Sequence, residues 1–293
     1  MTASDLTLRD FSRSLRARNR SPRTIGSYVE SATQLADFRP DQDVALLTRR
    51  DIEEYLGDVL DKRSASTAAT RYRALQQLYR WAVEEELIER SPMEGMRPPT
   101  IPEKPVPVLA DDTIRALLKA ADGKDFADRR DTAIIRLFLE PGGLRLAELA
   151  GLTVSDLDLD NDVVLVLGKG RRPRSVPFGA KTGSALTRYM RLRVSHKLAA
   201  SQSLWLGTRS VLSGNGVAQM LSRRAEQAGL GHVHPHQLRH TAASRWLAAG
   251  GSEGDAMRLF GWRSREMLGR YGASQADDRA RDAARRLALG DLL

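Results

Sequence analysis

Residues 91–107 have the sequence SPMEGMRPPTIPEKPVP, which holds six prolines and few large apolar side chains. Proline fixes the backbone φ angle and carries no amide hydrogen, so prolines at this density block helices and favour an extended chain. We therefore predict a linker over residues 91–107. It divides the chain into a first domain at residues 1–90 and a second domain at residues 108–293, and a chain of 293 residues is long enough for two separate cores.

The first domain is predicted to be one compact unit of four helices. Ser21-Pro22 has the residue types preferred at the N-cap and the first position of a helix, and Thr48 with Asp51 is close to a capping box. The fourth helix is predicted to start near Ser64 or Ser66. Apolar side chains recur at helical spacing in this domain, at Leu8, Phe11, Leu15, Ile25, Tyr28, Val29, Tyr72, Leu75 and Leu78.

The second domain is predicted to combine helices with a small antiparallel β-sheet. Residues 163–167, VVLVL, are an apolar and β-branched run, and residues 175–177 return after the turn sequence GKGRRPR, so this part is a predicted β-hairpin. The fold class is therefore mainly α with a small sheet. Helical patterns cover residues 111–121, 131–139 and 145–152. They are predicted again from about residue 181 onward.

The composition indicates a soluble globular protein with an anionic partner. Hydrophobic residues make up 41% of the chain, and no apolar run is long enough for a membrane span. The N-terminus lacks the features of a signal peptide, so we expect a cytoplasmic protein. The absence of cysteine excludes disulfides, thiolate zinc sites and cysteine nucleophiles. The net charge of +9 favours a nucleic acid partner, with a merely basic soluble protein as the alternative.

Two candidate phosphate-binding residues lie beside glycines. Arg145 follows Gly143-Leu144 on the first turn of a predicted helix, and Glu148 lies on the same helix face, where it can orient the guanidinium. An ordinary surface ion pair is the alternative. Lys169 lies in a Gly-Lys-Gly sequence at the predicted hairpin turn, where its ammonium can act as a point charge or a proton donor. Turn geometry alone also explains these glycines.

Four of the five histidines fall within residues 232–240, HVHPHQLRH. Pro235 can start a helix, which places His236, Arg239 and His240 on one face. A metal site is the alternative, but an arginine stands where a ligand is needed and no carboxylate of the HExxH type is nearby. We therefore predict a phosphate-facing surface and no metal.

Aromatic residues and glycines complete the set of motifs. The sequence Phe260-Gly261-Trp262 is followed, nine residues after the tryptophan, by Tyr271. Taken alone, these residues indicate core packing and a turn. In order along the chain, however, the GLRxxE box, the hairpin lysine, the HxxR box, the tryptophan and the tyrosine resemble the catalytic domain of the tyrosine recombinase, or phage integrase, family. Residues 21–28 and the linker resemble that family's core-binding domain.

The resemblance implies a DNA breaking-rejoining fold behind a SAM-like helical domain. It also implies site-specific recombination, for DNA integration and excision or for the resolution of chromosome and plasmid dimers. Tyr271 would attack the scissile phosphate and form a 3′-phosphotyrosyl bond, and Lys169 would protonate the departing 5′ oxygen. Neither a metal nor ATP nor another cofactor is needed, because the bond energy is kept in the phosphotyrosyl link.

The remaining roles also follow from the resemblance. Arg145 and Arg239 would hold the phosphate oxygens, His236 would help to take the tyrosine proton, and Trp262 would donate its indole N–H to the phosphate. The supporting residues would be Glu148 and His240. Contacts with DNA are expected from Arg23, Thr24, Tyr28, Arg71, Arg73, Arg171, Arg172 and Arg174.

Duplex DNA is the expected partner, with four protomers acting on two DNA sites, and no membrane partner is expected. An accessory directionality factor or a host DNA-bending factor is a further expected partner, and the cytoplasmic protein is expected to be nucleoid-associated. Three rivals stay open at this point. They are a sequence-specific DNA-binding protein of the same fold that no longer cuts, a type IB topoisomerase, and a metal hydrolase built on the histidines. Trp262 stands where the family more commonly has histidine, and an indole can only donate a hydrogen bond.

Overall fold

The structure is a computed structural model that describes residues 2–102, 107–168 and 173–262, together with residues 281, 284–285 and 288. Over these residues the chain forms eleven α-helices and one three-stranded antiparallel sheet, which confirms the predicted mainly helical class. The chain divides into two compact units, Met1–Lys104 and Pro105–Leu293. None of the described helices is long and apolar enough to cross a lipid bilayer.

The N-terminal unit contains four α-helices. They are α1 (Ala3–Ala17), α2 (Pro22–Phe38), α3 (Arg49–Lys62) and α4 (Ala65–Glu84). Each begins after a serine or threonine whose side-chain oxygen accepts the backbone N–H three residues later. Such caps satisfy N–H groups that a helix start otherwise leaves without a partner. The helix starts predicted at Ser21 and Thr48 are found, and the fourth helix follows Ser64.

A hydrophobic core holds these four helices together. Leu35, Ile52 and Leu75 have no exposed surface. Phe11 from α1 packs on Trp81 from α4 with ring centroids 5.3 Å apart. Burial of each such side chain stabilises the fold by roughly 1.5–3 kcal/mol. Packing of the apolar faces, rather than helix propensity, therefore holds the unit.

The first residues of the predicted linker pack against the N-terminal unit. Met93 is only 4% exposed, and the hydroxyl of Tyr72 donates a hydrogen bond of 2.6 Å to the carbonyl oxygen of Met96. Residues 96–102 have no regular secondary structure. The apolar Met93 side chain and the bond to Tyr72 thus attach the start of this proline-rich segment to the helices before it.

The C-terminal unit is built around one central helix. Its helices are α5 (Asp111–Ala120), α6 (Phe126–Leu139), α7 (Leu146–Ala150), α8 (Ala180–Arg193), α9 (Gly214–Gln227), α10 (Pro235–Ala248) and α11 (Glu253–Phe260). Helices α8, α9 and α10 all contact α6. Ile134, Leu137 and Phe138 of α6 have no exposed surface, as expected for a helix that is covered on several sides.

The sheet has the strand order β1-β2-β3, with β1 (Leu157–Asp158), β2 (Val163–Leu167) and β3 (Pro173–Pro177). Strands β2 and β3 form the antiparallel pair expected of the hairpin, with Val164 opposite Val176 and both side chains fully buried. Strand β1 is absent from the sequence expectations because two residues are too short to show an alternating pattern. Strand β2 ends at Leu167, two residues before Lys169 in the sequence, and residues 169–172 lie outside the described part of the chain.

Residues 194–213 depart from the helical pattern expected from about residue 181 onward. This segment forms turns and two isolated β-bridges, Thr153↔Ser203 and Leu206↔Val211. The guanidinium of Arg193 is 3% exposed and donates to the carbonyl oxygens of Leu204, Ala199, Ser201 and Ser203. These backbone acceptors are satisfied by one side chain instead of by helical hydrogen bonds, and the sequence pattern cannot reveal this exchange.

A buried ionic cluster joins α6 to α9. Asp131, 2% exposed, accepts two hydrogen bonds from the adjacent Arg130 on Oδ1 and one of 2.9 Å from Arg224 on Oδ2. Arg224 also donates to Asp128 at 2.8 Å. Removing one member of such a cluster leaves buried charge without compensation.

We expect Asp131→Asn to lower the free energy of unfolding by about 3–5 kcal/mol, because the buried guanidinium of Arg130 loses its carboxylate and Arg224 keeps only Asp128. Urea or guanidinium denaturation followed by circular dichroism measures this change. The matched control is Asp122→Asn at an exposed position nearby, which should change stability by less than about 0.5 kcal/mol. A loss for Asp131→Asn no larger than that of the control contradicts the cluster's stabilising role.

Candidate active site

A glycine turn delivers Arg145 to the site. Helix α6 ends at Leu139, and Gly142 and Gly143 then adopt φ angles of 109° and 20°. A Cβ at Gly143 would lie 3.1 Å from Cγ of Arg239, so glycine permits a close approach as well as the turn. Arg145 is the N-cap of α7, with extended φ and ψ of −71° and 149°. This corrects the expectation that Arg145 lies within the first turn of the helix.

Glu148 orients Arg145 from a buried position. Its Oε1 accepts a hydrogen bond of 2.7 Å from Nη1 of Arg145, and its Oε2 accepts the backbone N–H of Arg145 at 2.9 Å. The Glu148 side chain is 7% exposed, whereas that of Arg145 is 36% exposed. Burial raises the pKa of Glu148, but hydrogen bonds from Arg174 and Arg145 outweigh burial and hold the pKa at about 2. The pair is thus more than an ordinary surface ion pair.

Helix α10 carries the histidine–arginine motif. Pro235 is its first residue and His234 its N-cap. Arg239 is 3% exposed; its Nη1 donates to the carbonyl oxygen of Gly143, and its Nη2 donates to that of Phe260 at 2.6 Å. Arg239 therefore joins α10 to the glycine turn and to the end of α11. His236, one helical turn earlier, is exposed.

Trp262 enters the site from the end of α11. Gly261 ends this helix in the left-handed conformation, with φ of 62°, which glycine adopts without strain. The Trp262 ring stacks on Phe260 with centroids 4.8 Å apart and is 6% exposed. Nη2 of Arg145 lies 3.4 Å from the carbonyl oxygen of Gly261 and donates to it. Arg145, Arg239 and Trp262 are therefore held against the same short segment.

The surroundings of the two α10 histidines favour neutral imidazoles. Partial loss of hydration lowers the pKa of His236, and the positive charges of Arg239 and Arg145 lower it further. Burial and then the nearby His236 and Arg239 lower the pKa of His240 to about 4. Near neutral pH both rings are uncharged, and a neutral imidazole can accept a proton.

We expect the stability of the wild-type protein to fall as the pH drops from 6.5 toward 4, partly because of His240. In this range the unfolded chain binds a proton at His240 that the folded chain, with a pKa of about 4, does not. His240→Gln should make the fall shallower, and urea denaturation at pH 7 and pH 5.5 measures it. An equally steep pH dependence in the variant would remove His240 as a contributor.

Several predicted site residues lie outside the described part of the chain, and their roles stay predictions. They are Lys169, Arg171, Arg172 and Tyr271. Within the described ranges, no three His, Asp or Glu side chains come together as a metal site.

The predicted DNA contacts of the N-terminal unit fall into two groups. Arg23 and Arg73 are exposed, and Thr24 and Tyr28 are partly exposed. Arg71 is less exposed: its side chain is 15% exposed and donates to Glu30 and Ser31 inside the unit, and its DNA contact stays a prediction. Two of its guanidinium nitrogens therefore donate to protein side chains rather than to solvent.

Arg174, a predicted DNA contact that stays a prediction, directs its side chain into the protein. Its side chain is 11% exposed, and all three of its guanidinium nitrogens donate within the protein, to Leu259 and Glu148. The sequence signal for this placement is weak: Arg174 lies on the returning strand of the hairpin, two residues before the buried Val176. The backbone acceptors at the end of α11 leave no sequence signal.

The site brings together the guanidiniums of Arg145 and Arg239, the imidazole of His236 and the indole of Trp262. Cations and hydrogen-bond donors of this kind bind phosphate oxygens, as an enzyme that acts on phosphodiesters requires. The profile of the "Phage integrase family" matches residues 107–278, and that of "Phage integrase, N-terminal SAM-like domain" matches residues 8–89. The tyrosine recombinase XerC of Bacillus pumilus is 30% identical to the chain over 255 residues, which cover 83% of each protein.

Solved structures have the same fold. The Tn1549 transposon integrase in complex with transposon right end DNA matches with a TM-score of 0.76 and 21% identity, over 98% of this chain and all of that one. A lambda integrase tetramer bound to a Holliday junction matches with a TM-score of 0.72 and 18% identity, over 89% of this chain and 77% of that one. The chain belongs to the phage integrase family. It is a tyrosine-type enzyme of site-specific DNA recombination.

Proposed function

We propose that the chain cleaves DNA by attack of the Tyr271 hydroxyl on a scissile phosphate. The attack forms a 3′-phosphotyrosyl bond and breaks the bond from phosphorus to the 5′ oxygen, which leaves as a hydroxyl. A 5′ hydroxyl of another strand then attacks the phosphotyrosine, releases Tyr271 and rejoins the DNA. The convergence of Arg145, Arg239 and His236 at one site carries this proposal.

The two arginines would stabilise the transition state. Negative charge grows on the non-bridging phosphate oxygens as the tyrosine oxygen attacks, and charge-assisted hydrogen bonds from guanidiniums offset it by roughly 1.5–3 kcal/mol each. Arg145 and Arg239 donate to the adjacent carbonyl oxygens of Gly261 and Phe260, which supports their action on one phosphate. The positive charges of both arginines also lower the pKa of His236, which places that imidazole within the electrostatic range of both guanidiniums.

His236 would accept the proton of Tyr271. Its lowered pKa keeps the imidazole neutral near neutral pH, and its exposure leaves it accessible to a substrate. Trp262 would donate its indole N–H to the phosphate, which is the one polar interaction that an indole offers. Glu148 and His240 would support these groups from their more buried positions.

Lys169 would protonate the departing 5′ oxygen, and we expect Lys169→Ala to slow cleavage by about 10²–10⁴-fold, the usual contribution of a general acid. On a substrate whose leaving atom is sulfur, the loss should largely disappear, because a thiolate leaves without a proton. Single-turnover cleavage of matched oxygen and 5′-sulfur substrates measures this. If sulfur does not rescue Lys169→Ala, Lys169 is not the acid.

DNA recognition and assembly belong to the same proposal. The exposed Arg23 and Arg73 of the N-terminal unit support a role in contacts to the DNA backbone, together with Thr24 and Tyr28. By analogy with the lambda integrase tetramer on a Holliday junction, four protomers would act on two DNA sites. An accessory directionality or DNA-bending factor would control the direction of the reaction, and the protein would associate with the nucleoid.

A cleavage assay tests the proposed activity. The purified protein is mixed with labelled DNA from around its own gene in EDTA, quenched with SDS and analysed for a covalent protein–DNA band. We expect the band to form in EDTA. Tight binding to a mapped DNA site without any band would favour a protein that binds DNA and no longer cuts. Cut DNA that carries no attached protein, and that appears only when EDTA is replaced by a divalent metal, would favour a metal hydrolase.

A further inference from the structure

Arg174 connects three parts of the site from strand β3. Its Nη1 and Nη2 donate to Oε1 and Oε2 of Glu148 at 3.1 Å and 2.8 Å, and its Nε donates to the carbonyl oxygen of Leu259 at 2.9 Å. Glu148 in turn holds Arg145. The β-hairpin, the GLRxxE box and the end of α11 therefore meet at one guanidinium.

Three arginines from different elements bind consecutive carbonyl groups at the end of α11. Arg174 donates to Leu259, Arg239 to Phe260 and Arg145 to Gly261. The carboxyl end of a helix carries partial negative charge and carbonyl groups without helical partners, so it attracts cations. Since two of these arginines are proposed phosphate ligands, the end of α11 and Glu148 together set the position of the phosphate-binding groups.

We propose that Arg174 is a positioning residue for DNA cleavage, which fixes Arg145 through their shared carboxylate Glu148 and fastens β3 to the end of α11. This inference rests on the proposed cleavage activity. The contacts that carry it are those of the guanidinium itself: all three nitrogens of Arg174 donate inside the protein, two of them to Glu148 and one to Leu259.

The geometry requires arginine at this position. A planar guanidinium can bind both oxygens of a carboxylate and still donate from Nε in a third direction. Lysine keeps the charge but has one nitrogen, so Arg174→Lys cannot make all three bonds. Without Arg174, Arg145 is the one residue in the described ranges that holds the carboxylate of Glu148, and the two side chains can shift together.

The test measures single-turnover formation of the covalent adduct at saturating protein, for wild type, Arg174→Gln and Arg174→Lys. One DNA substrate has an ordinary scissile phosphate, and the other has a methylphosphonate there, which lacks the charge that Arg145 neutralises. We expect both variants to slow the ordinary reaction by about 10²-fold, the usual cost of a small misplacement, with unchanged DNA affinity. On the methylphosphonate the loss should be at least about tenfold smaller.

A combined variant and a control complete the test. Arg174→Gln should slow cleavage by a smaller factor in a Glu148→Gln background than in wild type, because both residues act through one carboxylate and only the bond of Arg174 to Leu259 is independent of it. The control Arg191→Gln removes the same charge from an exposed position on α8 and should leave the rate unchanged. If Arg174→Gln does not fold, Arg174→Lys carries the comparison.

Three outcomes overturn the inference. They are an unchanged rate on the ordinary phosphate, an equal loss on both substrates, which a merely structural role predicts, and a loss of DNA affinity that accounts for the slower reaction. If wild type itself forms no adduct on either substrate, the proposed cleavage activity fails, and this is distinct from a failure of the role of Arg174.

Discussion

The Tyr271→Phe variant is expected to form no covalent adduct with DNA and to lose strand cleavage by about 10⁴-fold or more, as enzymes do when the nucleophile is removed. Phenylalanine keeps the ring and lacks only the oxygen that would bond to phosphorus. No cysteine in the chain can replace it. DNA affinity should stay unchanged, since the hydroxyl contributes a bond in the reaction rather than in the bound ground state.

Tyr55→Phe is the matched control for this experiment. The Tyr55 side chain is 3% exposed in the N-terminal unit, and its buried hydroxyl has no hydrogen-bond partner among the described residues. Removing that hydroxyl should therefore leave both stability and cleavage unaffected. Adduct formation by Tyr271→Phe at the wild-type rate would assign the nucleophile to another residue.

The Arg239→Gln variant is expected to cleave about 10³-fold more slowly than wild type, with a smaller effect on DNA affinity. The substitution removes a positive charge from the proposed phosphate site. It also takes away the guanidinium that holds the carbonyl oxygens of Gly143 and Phe260, so the glycine turn and the end of α11 lose a shared partner. Single-turnover cleavage at saturating protein separates this loss from weaker binding.

Arg245→Gln provides the control on the same helix. Arg245 is 53% exposed, and its nearest acidic partner is Asp111 at 3.6 Å. An exposed ion pair of this kind contributes about 0–1 kcal/mol, so its removal should change cleavage little. A loss of less than about tenfold in Arg239→Gln would contradict a direct role for Arg239 at the phosphate.

The sequence predicted the elements whose causes are local. Ser21-Pro22 and Pro235 mark helix starts through capping and a fixed φ angle, and both helices start where expected. The VVLVL run and its return at residues 175–177 gave the hairpin. The motif spacing predicted that Arg145, Arg239 and Trp262 belong to one site, and the structure brings these three together.

The features that the sequence did not predict depend on contacts between distant residues. Arg193 replaces helical hydrogen bonds over the segment that follows α8, and Arg174 turns inward to Glu148 although an arginine in a basic hairpin suggests a DNA contact. Met93 packs on the N-terminal helices from within a proline-rich stretch. Periodicity and residue type are local signals, so neither can report which distant carbonyl or carboxylate receives a side chain.

Mapping the covalent bond identifies the nucleophile. The adduct formed in EDTA is digested with nuclease and trypsin, and the peptides are sequenced by mass spectrometry. Trypsin cleavage after Arg270 and Arg279 gives the peptide YGASQADDR, which has one tyrosine, Tyr271, and one serine, Ser274. We expect a nucleotide remnant on Tyr271 of this peptide. A remnant on Ser274 or on any other peptide would contradict it.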